Sequence, residues 1–399
     1  MGWCTSCAPG SGTGASPAPV RPGIEVLLTD SLHLVRASRV GLVTNQSGVD
    51  ASGVSDVARL QAAGIRLVAL FSPEHGFRGV ADPGAAVASS VDSATGVPIY
   101  SLYGRSSAPT NEMLQGIDVM LVDLQDAGAR YYTYLATTID VMRAAGQRRI
   151  PVVVLDRPNP IGGLVQGNVL DTAFVSTVGR LPVAMRHGMT LGELARLAVS
   201  DLQLDVALTV VPAAGWRRSQ TLDQTGLPFI PPSPNLRSVE SLFHYPGLCL
   251  FEGTNLSVGR GSDAPFEQIG APWLDTAAVL SAMRRAALPG VSFRGVGFTP
   301  RSPGDGKFAD TLLLGIRLKV TDRAVYDPPR TAVHLLTAIS ALQKDRFGWI
   351  PPHFDRLAGD AHLRESIQAG MDPEQIVRDW KPGVDHFNLR RRQFLLYPE

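Results

Sequence analysis

The chain has 399 residues, 44% of them hydrophobic, and a formal net charge of +1, a composition that can bury a core for about two domains and that argues against a dedicated nucleic-acid binder. It contains only four lysines, none before Lys307, which excludes Schiff-base, pyridoxal-phosphate and Walker-loop lysine chemistry from the first three quarters of the sequence. Three cysteines exclude a disulfide scaffold, and no apolar run approaches the length of a transmembrane helix.

Residues 1–22 are rich in Gly, Ser, Ala and Pro and predict a disordered linker. They contain no charged segment followed by an apolar one, so as written they are not a signal peptide. Cys7, followed by a tether of small residues, looks like the lipidation site of a bacterial lipoprotein. We therefore expect either a lipid-anchored tether or a disordered tail, and a secreted, periplasmic or cell-surface protein.

The next segments alternate short apolar runs with amphipathic stretches. Strands are predicted at 39–44, 65–72, 118–124 and 150–156, and helices at 55–63 and 133–145. Continuous β-branched runs separated by helices indicate a parallel sheet covered on both faces. No glycine fingerprint of a dinucleotide site follows any of these strands, which disfavours a nucleotide-dependent enzyme and a nucleotide cofactor.

The later part of the chain has a different pattern. The segment 212–272 is rich in Pro, Gly, Trp and Asn, and we interpret it as a crossing between two domains. Beyond it, a strand is predicted at 311–320 and helices at 330–344 and 373–380. The fold class is therefore α/β, with a parallel-sheet domain at 23–240 and a smaller α+β C-terminal domain at 241–399.

Polar clusters follow three of the predicted strands, at 72–76, 123–126 and 156–160. Right-handed crossovers bring the carboxyl ends of parallel strands to one edge of the sheet, where ligands usually bind. Turn chemistry explains Asp, Asn, Gly and Pro at these positions, but it does not explain Glu-His or Arg. The clusters predict a functional site at this edge.

Glu74 is the sharpest candidate within these clusters. It follows an apolar strand and stands between Pro73 and His75, an arrangement that places a carboxyl group in a partly desolvated cleft. Desolvation favours the protonated form of a carboxyl group and suits it to general-acid catalysis. The structural alternative is a loop glutamate paired with an arginine such as Arg78.

Glycoside cleavage needs a second carboxyl group beside the proton donor. The possible partners of Glu74 are Asp123, Asp126, Glu252 and Glu267, and their spacing does not choose among them; structural ion pairs are the alternative explanation for each. Nearby side chains that suit an anionic sugar are Arg78, Arg130, Arg157, Arg186, Arg260, Tyr131, Tyr132 and Tyr134. His75 and His187 are isolated, so we predict no catalytic metal and no cofactor.

Several long segments, taken together, resemble one family. They are FSPEHGFRG (71–79), VDLQDAGARYYTY (122–134), LDRPNPIGG (155–163), RHGMTLGELA (186–195), the stretch 232–273 and the terminal FLLYP (394–398). In this order they resemble the bacterial exo-β-N-acetylmuramidases from about residue 24 to the end. Two departures, Ala127 and Ser262 where valine and threonine are expected, remove no functional group that matters.

The resemblance implies a glycoside hydrolase that releases terminal N-acetylmuramic acid from the non-reducing ends of peptidoglycan fragments. It also implies a Rossmann-like domain, a smaller C-terminal domain and an active site in the cleft between them, with Glu74 as the catalytic acid. Residues matching other family motif positions are Asp123, Asp126, Arg130, Asp156, Asn159, His187, Asn235, Glu252, Asn255, Arg260 and Glu267. We predict that Asp123 and Asp126 are catalytic with Glu74, and that the others, together with His75 and Tyr131, bind the substrate. We expect Arg130 or Arg260 to bind the lactyl carboxylate of muramic acid. The alternative function is a non-catalytic surface protein that binds peptidoglycan fragments.

Overall fold

A computed structural model describes residues 19–82, 84–85, 88–104 and 106–399. Most of the predicted N-terminal linker, including Cys7 and its proposed lipidation, lies outside the described residues. Within them, no helix is long and apolar enough to cross a membrane.

The described residues form strands that belong to three sheets. The strands, in chain order, are β1 Arg39–Thr44, β2 Arg66–Ser72, β3 Ser90–Val91, β4 Pro98–Ser101, β5 Val119–Asp123, β6 Val152–Leu155, β7 Gln166–Val169, β8 Ala184–Arg186, β9 Leu208–Val211, β10 Gln268–Ala271, β11 Val291–Phe298 and β12 Leu313–Val320. The main sheet has the order β3-β4-β2-β1-β5-β6-β9, and its neighbours are parallel except for β3 with β4. The predicted parallel sheet is confirmed.

The main sheet is buried on both faces, which explains its continuous apolar strands. In β5, Met120 and Val122 pack into one apolar cluster, whereas Val119 and Leu121 pack into another on the opposite face. Successive side chains of a strand point to opposite faces, so a strand covered on both sides has no polar positions to alternate with.

Helices cover these faces and build the second part of the chain. They are α1 Gly23–Asp30, α2 Asp56–Ala62, α3 Tyr134–Gln147, α4 Leu191–Asp201, α5 Val239–Leu248, α6 Thr276–Ala286, α7 Pro328–Leu342, α8 Pro351–Ala358, α9 His362–Gln368, α10 Pro373–Asp379 and α11 Lys381–Arg391. The strands β10, β12 and β11 form an antiparallel sheet among them. This confirms a smaller α+β region after the parallel sheet.

The segment 212–272 is more ordered than its composition predicts. It contains α5, which holds Pro246 and Gly247 inside the helix, and it ends in β10. Burial of Leu242, Phe243 and Leu248 stabilises a helix that propensity alone disfavours. The domain boundary predicted between residues 240 and 241 falls in the first turn of α5 and stays a prediction.

Candidate active site

Glu74 lies in the turn that follows β2, at the carboxyl edge of the main sheet. His75, the next residue, has a φ of +70°, a left-handed conformation that is rare for a residue other than glycine and is typical of functional sites. The His75 ring holds this turn through a 2.8 Å contact from Nδ1 to the carbonyl oxygen of Ala81. The turn therefore fixes the direction of the Glu74 side chain.

Among the residues that the structure describes, a hydroxyl and a backbone N–H donate hydrogen bonds to the Glu74 carboxylate. The Thr133 hydroxyl donates to Oε2 at 2.7 Å, and the backbone N–H of Gly84 donates to Oε1 at 3.1 Å. Among the described residues Glu74 forms no ion pair, so the alternative of a loop glutamate paired with Arg78 is not what this part of the structure shows. The side chain is almost fully buried, and its exposed part faces a cleft.

This cleft has a cavity volume of about 140 Å³. Its walls come from the ends of β2, β4 and β5, from α5 and the short turn of helix at Cys249–Gly253, and from α8. The lining residues are Glu74, His75, Tyr103, Tyr131, Tyr132, Thr133, Thr177, Val178, Ser233, Leu236, Tyr245, Cys249, Glu252, Arg260, Phe266, His353 and Leu357. Residues from both the parallel-sheet part and the later α+β part therefore face the same space.

Glu252 is the second carboxylate in the cleft. Arg260 binds its Oε1 through Nε at 2.7 Å and through Nη2 at 2.6 Å. The Arg260 guanidinium stacks over the Phe266 ring at 4.9 Å, and its buried Nη1 has no hydrogen-bond partner among the described residues. The pair fixes the position of the Glu252 carboxylate and leaves one arginine donor without a partner.

Lys307 fixes the backbone beneath Glu252. Its ammonium group donates to the carbonyl oxygens of Glu252, Thr254 and Leu256 at 3.0, 2.7 and 3.0 Å. The three donors of a lysine are thus used on one turn of chain. The first lysine of the sequence serves to position the cleft.

Burial changes the proton affinity of other groups in the cleft. It raises the pKa of Tyr103 to about 12, with the Glu74 carboxylate adding to the effect. It lowers the pKa of His75 and of His353, so both imidazoles are mainly neutral at pH 7. It also raises the pKa of the Cys249 thiol well above its ordinary value.

Asp123, predicted as a catalytic carboxylate, does not line this cleft. It is fully buried at the end of β5, and both of its oxygens bind Arg157, at 2.5 Å through Nε and at 2.9 Å through Nη2. Burial raises the pKa of Asp123, which Arg157 opposes, and the neighbouring Asp56 carboxyl has its pKa raised well above the ordinary value by burial and by Asp123. Asp123, Arg157 and Asp56 therefore lie in the protein interior at the carboxyl edge of the main sheet.

Asp126 lies in the loop after β5 and is also absent from the cleft lining. Its Oδ2 accepts from the Gly128 N–H at 2.6 Å and lies 3.3 Å from Nε2 of His187. The Met189 N–H donates to Nδ1 of His187, which places the imidazole proton on Nε2. The structure brings Asp126 and His187 together, but behind the wall of the cleft.

Asp156 and Asn159 organise the loop after β6. Asp156 accepts from the Thr190 and Tyr397 hydroxyls, each at 2.6 Å, and from the Gly192 N–H at the start of α4. Burial raises its pKa to about 6 in spite of these donors. Asn159 bonds to Met189 O and to the Ile161 N–H.

Arg130 is held by the protein through both of its terminal nitrogens, whereas its buried Nε has no hydrogen-bond partner among the described residues. Its two terminal nitrogens donate to the carbonyls of Asn168, Val183, Leu357 and Ala358 and to the Asn168 side chain, at 2.7–3.3 Å. Leu357 and Ala358 end α8, where a positive charge is stabilising. Of the two arginines expected to bind a lactyl carboxylate, only Arg260 lies in the cleft.

The remaining predicted site residues either border the cleft or are bonded to the protein away from it. Tyr131 borders the cleft, but its hydroxyl donates to the Pro246 carbonyl at 2.7 Å. Asn255 bonds to the backbone of Arg346 and Gly348, and Glu267 accepts from Ser238 at the start of α5. Asn235 is buried beside the lining residues Ser233 and Leu236.

Sequence patterns did not single out several cleft residues. Tyr103 follows the short strand β4, which was not predicted, and His353 lies near the start of α8. Thr133 is the first residue of the helix predicted at 133–145 and directly precedes α3, a position where a hydroxyl is typical of a helix cap. A group of three or more His, Cys, Asp or Glu side chains able to hold a metal is absent from the described ranges.

Glycoside hydrolases use two carboxyl groups that lie in different surroundings at one cleft, and this cleft contains such a pair. Comparison with known proteins agrees with this class. Residues 40–240 match the family model of the exo-β-N-acetylmuramidase NamZ N-terminal region, and residues 243–397 match that of its C-terminal region. The chain belongs to this family of glycosidases.

Individual relatives resemble the chain over almost its full length. It is 41% identical to the peptidoglycan β-N-acetylmuramidase NamZ of Bacillus subtilis (strain 168), over 98% of this chain and 95% of that protein. Crystal structures of two DUF1343 family proteins from Bacteroides fragilis have the same fold. One has a TM-score of 0.86 at 35% identity, covering 95% of this chain and 99% of its own, and the other a TM-score of 0.79 at 32% identity, covering 96% and 100%.

Proposed function

We propose that the protein is an exo-acting glycoside hydrolase that removes terminal N-acetylmuramic acid from the non-reducing ends of peptidoglycan fragments. Membership of the family and the relative from Bacillus subtilis support the substrate class. The observation that carries the proposal is that Glu74 and Glu252 border one cleft, each held by different partners. Hydrolysis of the saccharide needs no cofactor in this scheme.

The surroundings of the two carboxylates assign their roles. Glu252 is bound by the Arg260 guanidinium, and we assign it the role of base or nucleophile, or of stabilising positive charge at the anomeric carbon. Glu74 is held by a hydroxyl and a backbone N–H rather than by a cation among the described residues, so it can carry the proton given to the leaving oxygen. Asp123 and Asp126 support the edge of the sheet in this scheme.

Arg260 also explains selectivity for muramic acid. The lactyl group of this sugar is a carboxylate, and an arginine binds a carboxylate more strongly than a neutral donor does. The Nη1 of Arg260 is a buried donor without a partner in the described part of the chain. We assign it to the lactyl carboxylate, and Arg130 to the structural role described above.

The test compares a chromogenic β-N-acetylmuramide with the matching glucosaminide. Glu74→Gln should lower release of the muramide by about 10³-fold, the usual scale of general acid catalysis. Glu112→Gln, which changes an exposed glutamate, should match the unchanged protein. Absence of release by the unchanged protein would contradict the proposal, and saturable binding without release would identify a peptidoglycan-binding protein instead.

Arg260→Lys tests the selectivity. The lysine keeps a positive charge near Glu252 but loses the planar fork of donors. We expect the preference for muramide over glucosaminide to fall about tenfold, mostly through KM. If Arg260→Lys kept the preference for the muramide and Arg130→Lys lost it, Arg130 rather than Arg260 would bind the lactyl carboxylate.

We further propose that the protein works outside the cytoplasm, at the cell surface or in the periplasm, where peptidoglycan lies. The small-residue tether after Cys7 supports a lipid anchor at that residue. Metabolic labelling with a fatty acid should label the full chain and Cys4→Ser, and should fail to label Cys7→Ser. Label that persists in Cys7→Ser would exclude this anchor.

A further inference from the structure

A second cavity lies apart from the catalytic cleft and contains a cluster of arginines. It has a volume of about 620 Å³ and lies between the loop 161–165, helix α5 and helix α11. Arg186, Arg218, Arg323 and Arg391 line it. No role described above uses this space.

The positive charge of this cavity is only partly compensated. Glu193 binds Arg218 with both of its oxygens, and Asp223 binds Arg323 at 2.6 Å. Arg186 and Arg391 form no ion pair with a described residue. The one further acid in the lining, the terminal residue of the sequence, is largely exposed and lies 3.8 Å from Arg218.

Neutral groups hold the two arginines that form no ion pair in place. Arg186 donates to the Gln166 side chain and to the Ile161 carbonyl, and Arg391 donates through Nη1 to the carbonyls of Gly163, His187 and Gly188. Burial lowers the pKa of each to about 10, and for Arg391 the nearby charge of Arg218 adds to this effect. Both guanidinium groups are thus held in place by the protein; Arg391 lies near the like charge of Arg218, whereas Arg186 lies near the Asp327 carboxyl group.

Two buried donors at this cavity are unsatisfied. The Nε atoms of Arg186 and Arg218 have no hydrogen-bond partner within the described part of the chain, although both side chains are about 1% exposed. One wall is apolar: Phe243 packs under the guanidinium of Arg323 at 4.8 Å and under that of Arg186 at 5.7 Å. A cavity with fixed cations on one side and an aromatic ring on the other suits an amphiphilic anion.

We propose that this cavity is a second ligand site, which binds a small organic acid whose carboxylate or phosphate lies against Arg323 and Arg391 and whose apolar part lies against Phe243. The site is separate from the catalytic cleft. Phe243 and the cleft residue Tyr245 are two positions apart on α5 and therefore face different sides of that helix. Ligand pockets are typically about 300–1,000 Å³, which this cavity can accommodate.

The experiment measures binding of phenyl phosphate, phenylacetate and neutral benzyl alcohol by calorimetry at constant ionic strength. The unchanged protein should bind one or both acids with a Kd of about 1 mM or lower, and should not bind the alcohol. Which acid binds more tightly distinguishes a phosphate from a carboxylate ligand. Absence of binding by either acid, or equal binding of the alcohol, would overturn the proposal.

Three variants locate the site. Arg391→Gln and Arg323→Gln should each weaken binding by about tenfold, since each removes a charged donor. Arg301→Gln, which removes an exposed arginine elsewhere, should have no effect. If Arg391→Gln fails to fold, Arg323→Gln, which loses only a half-exposed ion pair, still decides the question. Equal weakening in Arg301→Gln would overturn the assignment, whereas muramide release should persist in all three variants.

Discussion

The carboxyl edge of the main sheet and the cleft beside it use the same kind of side chain for different purposes. Asp123 and Asp156 at the sheet edge are completely buried, and their oxygens are occupied by an arginine or by hydroxyl and amide donors. Glu74 and Glu252 border empty space. A carboxylate with every partner supplied by the protein serves the fold, whereas one that faces a cavity is available to a substrate.

The largest effect is expected when Asp123, at the sheet edge, is replaced. Asp123→Asn leaves Arg157 buried without its carboxylate, and breaking a buried ion pair in this way costs about 3–5 kcal/mol of unfolding free energy. Urea denaturation measures the loss, and muramide release by the remaining folded protein should be retained. Asp118→Asn is the control, because its ion pair with Arg39 is exposed and should matter little. A stable Asp123→Asn without activity would place Asp123 in the catalytic group.

A second test uses pH. Burial raises the pKa of Asp156 from 3.8 to about 6, so the folded state holds this proton more tightly than the unfolded state. Its contribution to stability is present below pH 4 and is lost as pH rises through 6. Asparagine does not titrate, so Asp156→Asn should gain up to about 3 kcal/mol relative to the unchanged protein between pH 4 and 7.

Denaturation curves at several pH values measure this difference for Asp156→Asn and for the control Asp345→Asn, which changes an exposed residue. The control should show the same pH dependence as the unchanged protein. A constant difference for Asp156→Asn would mean that this carboxyl group does not bind its proton more tightly on folding.

The smallest effect is expected for Thr133, which donates to the cleft carboxylate Glu74. Thr133→Val removes the hydroxyl that donates to Glu74 and should lower turnover about tenfold while the melting temperature hardly changes. The pH profile of kcat should shift, since the hydroxyl holds the catalytic carboxyl group. Thr137→Val, one turn further along the chain, removes a hydroxyl that donates to the Thr133 carbonyl at 3.4 Å and forms no hydrogen bond with Glu74, so it should keep both turnover and profile.

Much of the fold could be predicted because the apolar runs are long and buried on both faces. The strand predicted at 39–44 is β1 itself, and the helix predicted at 133–145 differs from α3 by one residue at its start. The short strands β3, β4, β7, β8, β9 and β10 were missed because two to four residues carry no period. The eight-residue strand β11 was also missed, and it contains Gly295 and Gly297, a residue type that is depleted in strands. α5 was missed because tertiary burial outweighs its Pro and Gly.

The site was predicted in position but not in detail. Adjacent strand ends do bring Glu74 near the cleft, and the pattern of the sequence contains that information. It does not contain the partners: Thr133 is 59 residues from Glu74, and Arg157 is 34 residues from Asp123. Only these pairings separate a catalytic carboxylate from a structural one, so Asp123 and Glu74 look alike in the sequence.

The contacts of Arg130 have a consequence for the order in which the protein can assemble. The guanidinium joins the sheet edge to carbonyls at Leu357 and Ala358, which lie 227 and 228 residues further along the chain. Leu357 and His353 of that same helix form a wall of the cleft. The substrate site is therefore completed only after the last quarter of the chain has docked, and a fragment ending before α8 would contain Glu74 and Glu252 but neither this wall nor the acceptors of a buried positive charge.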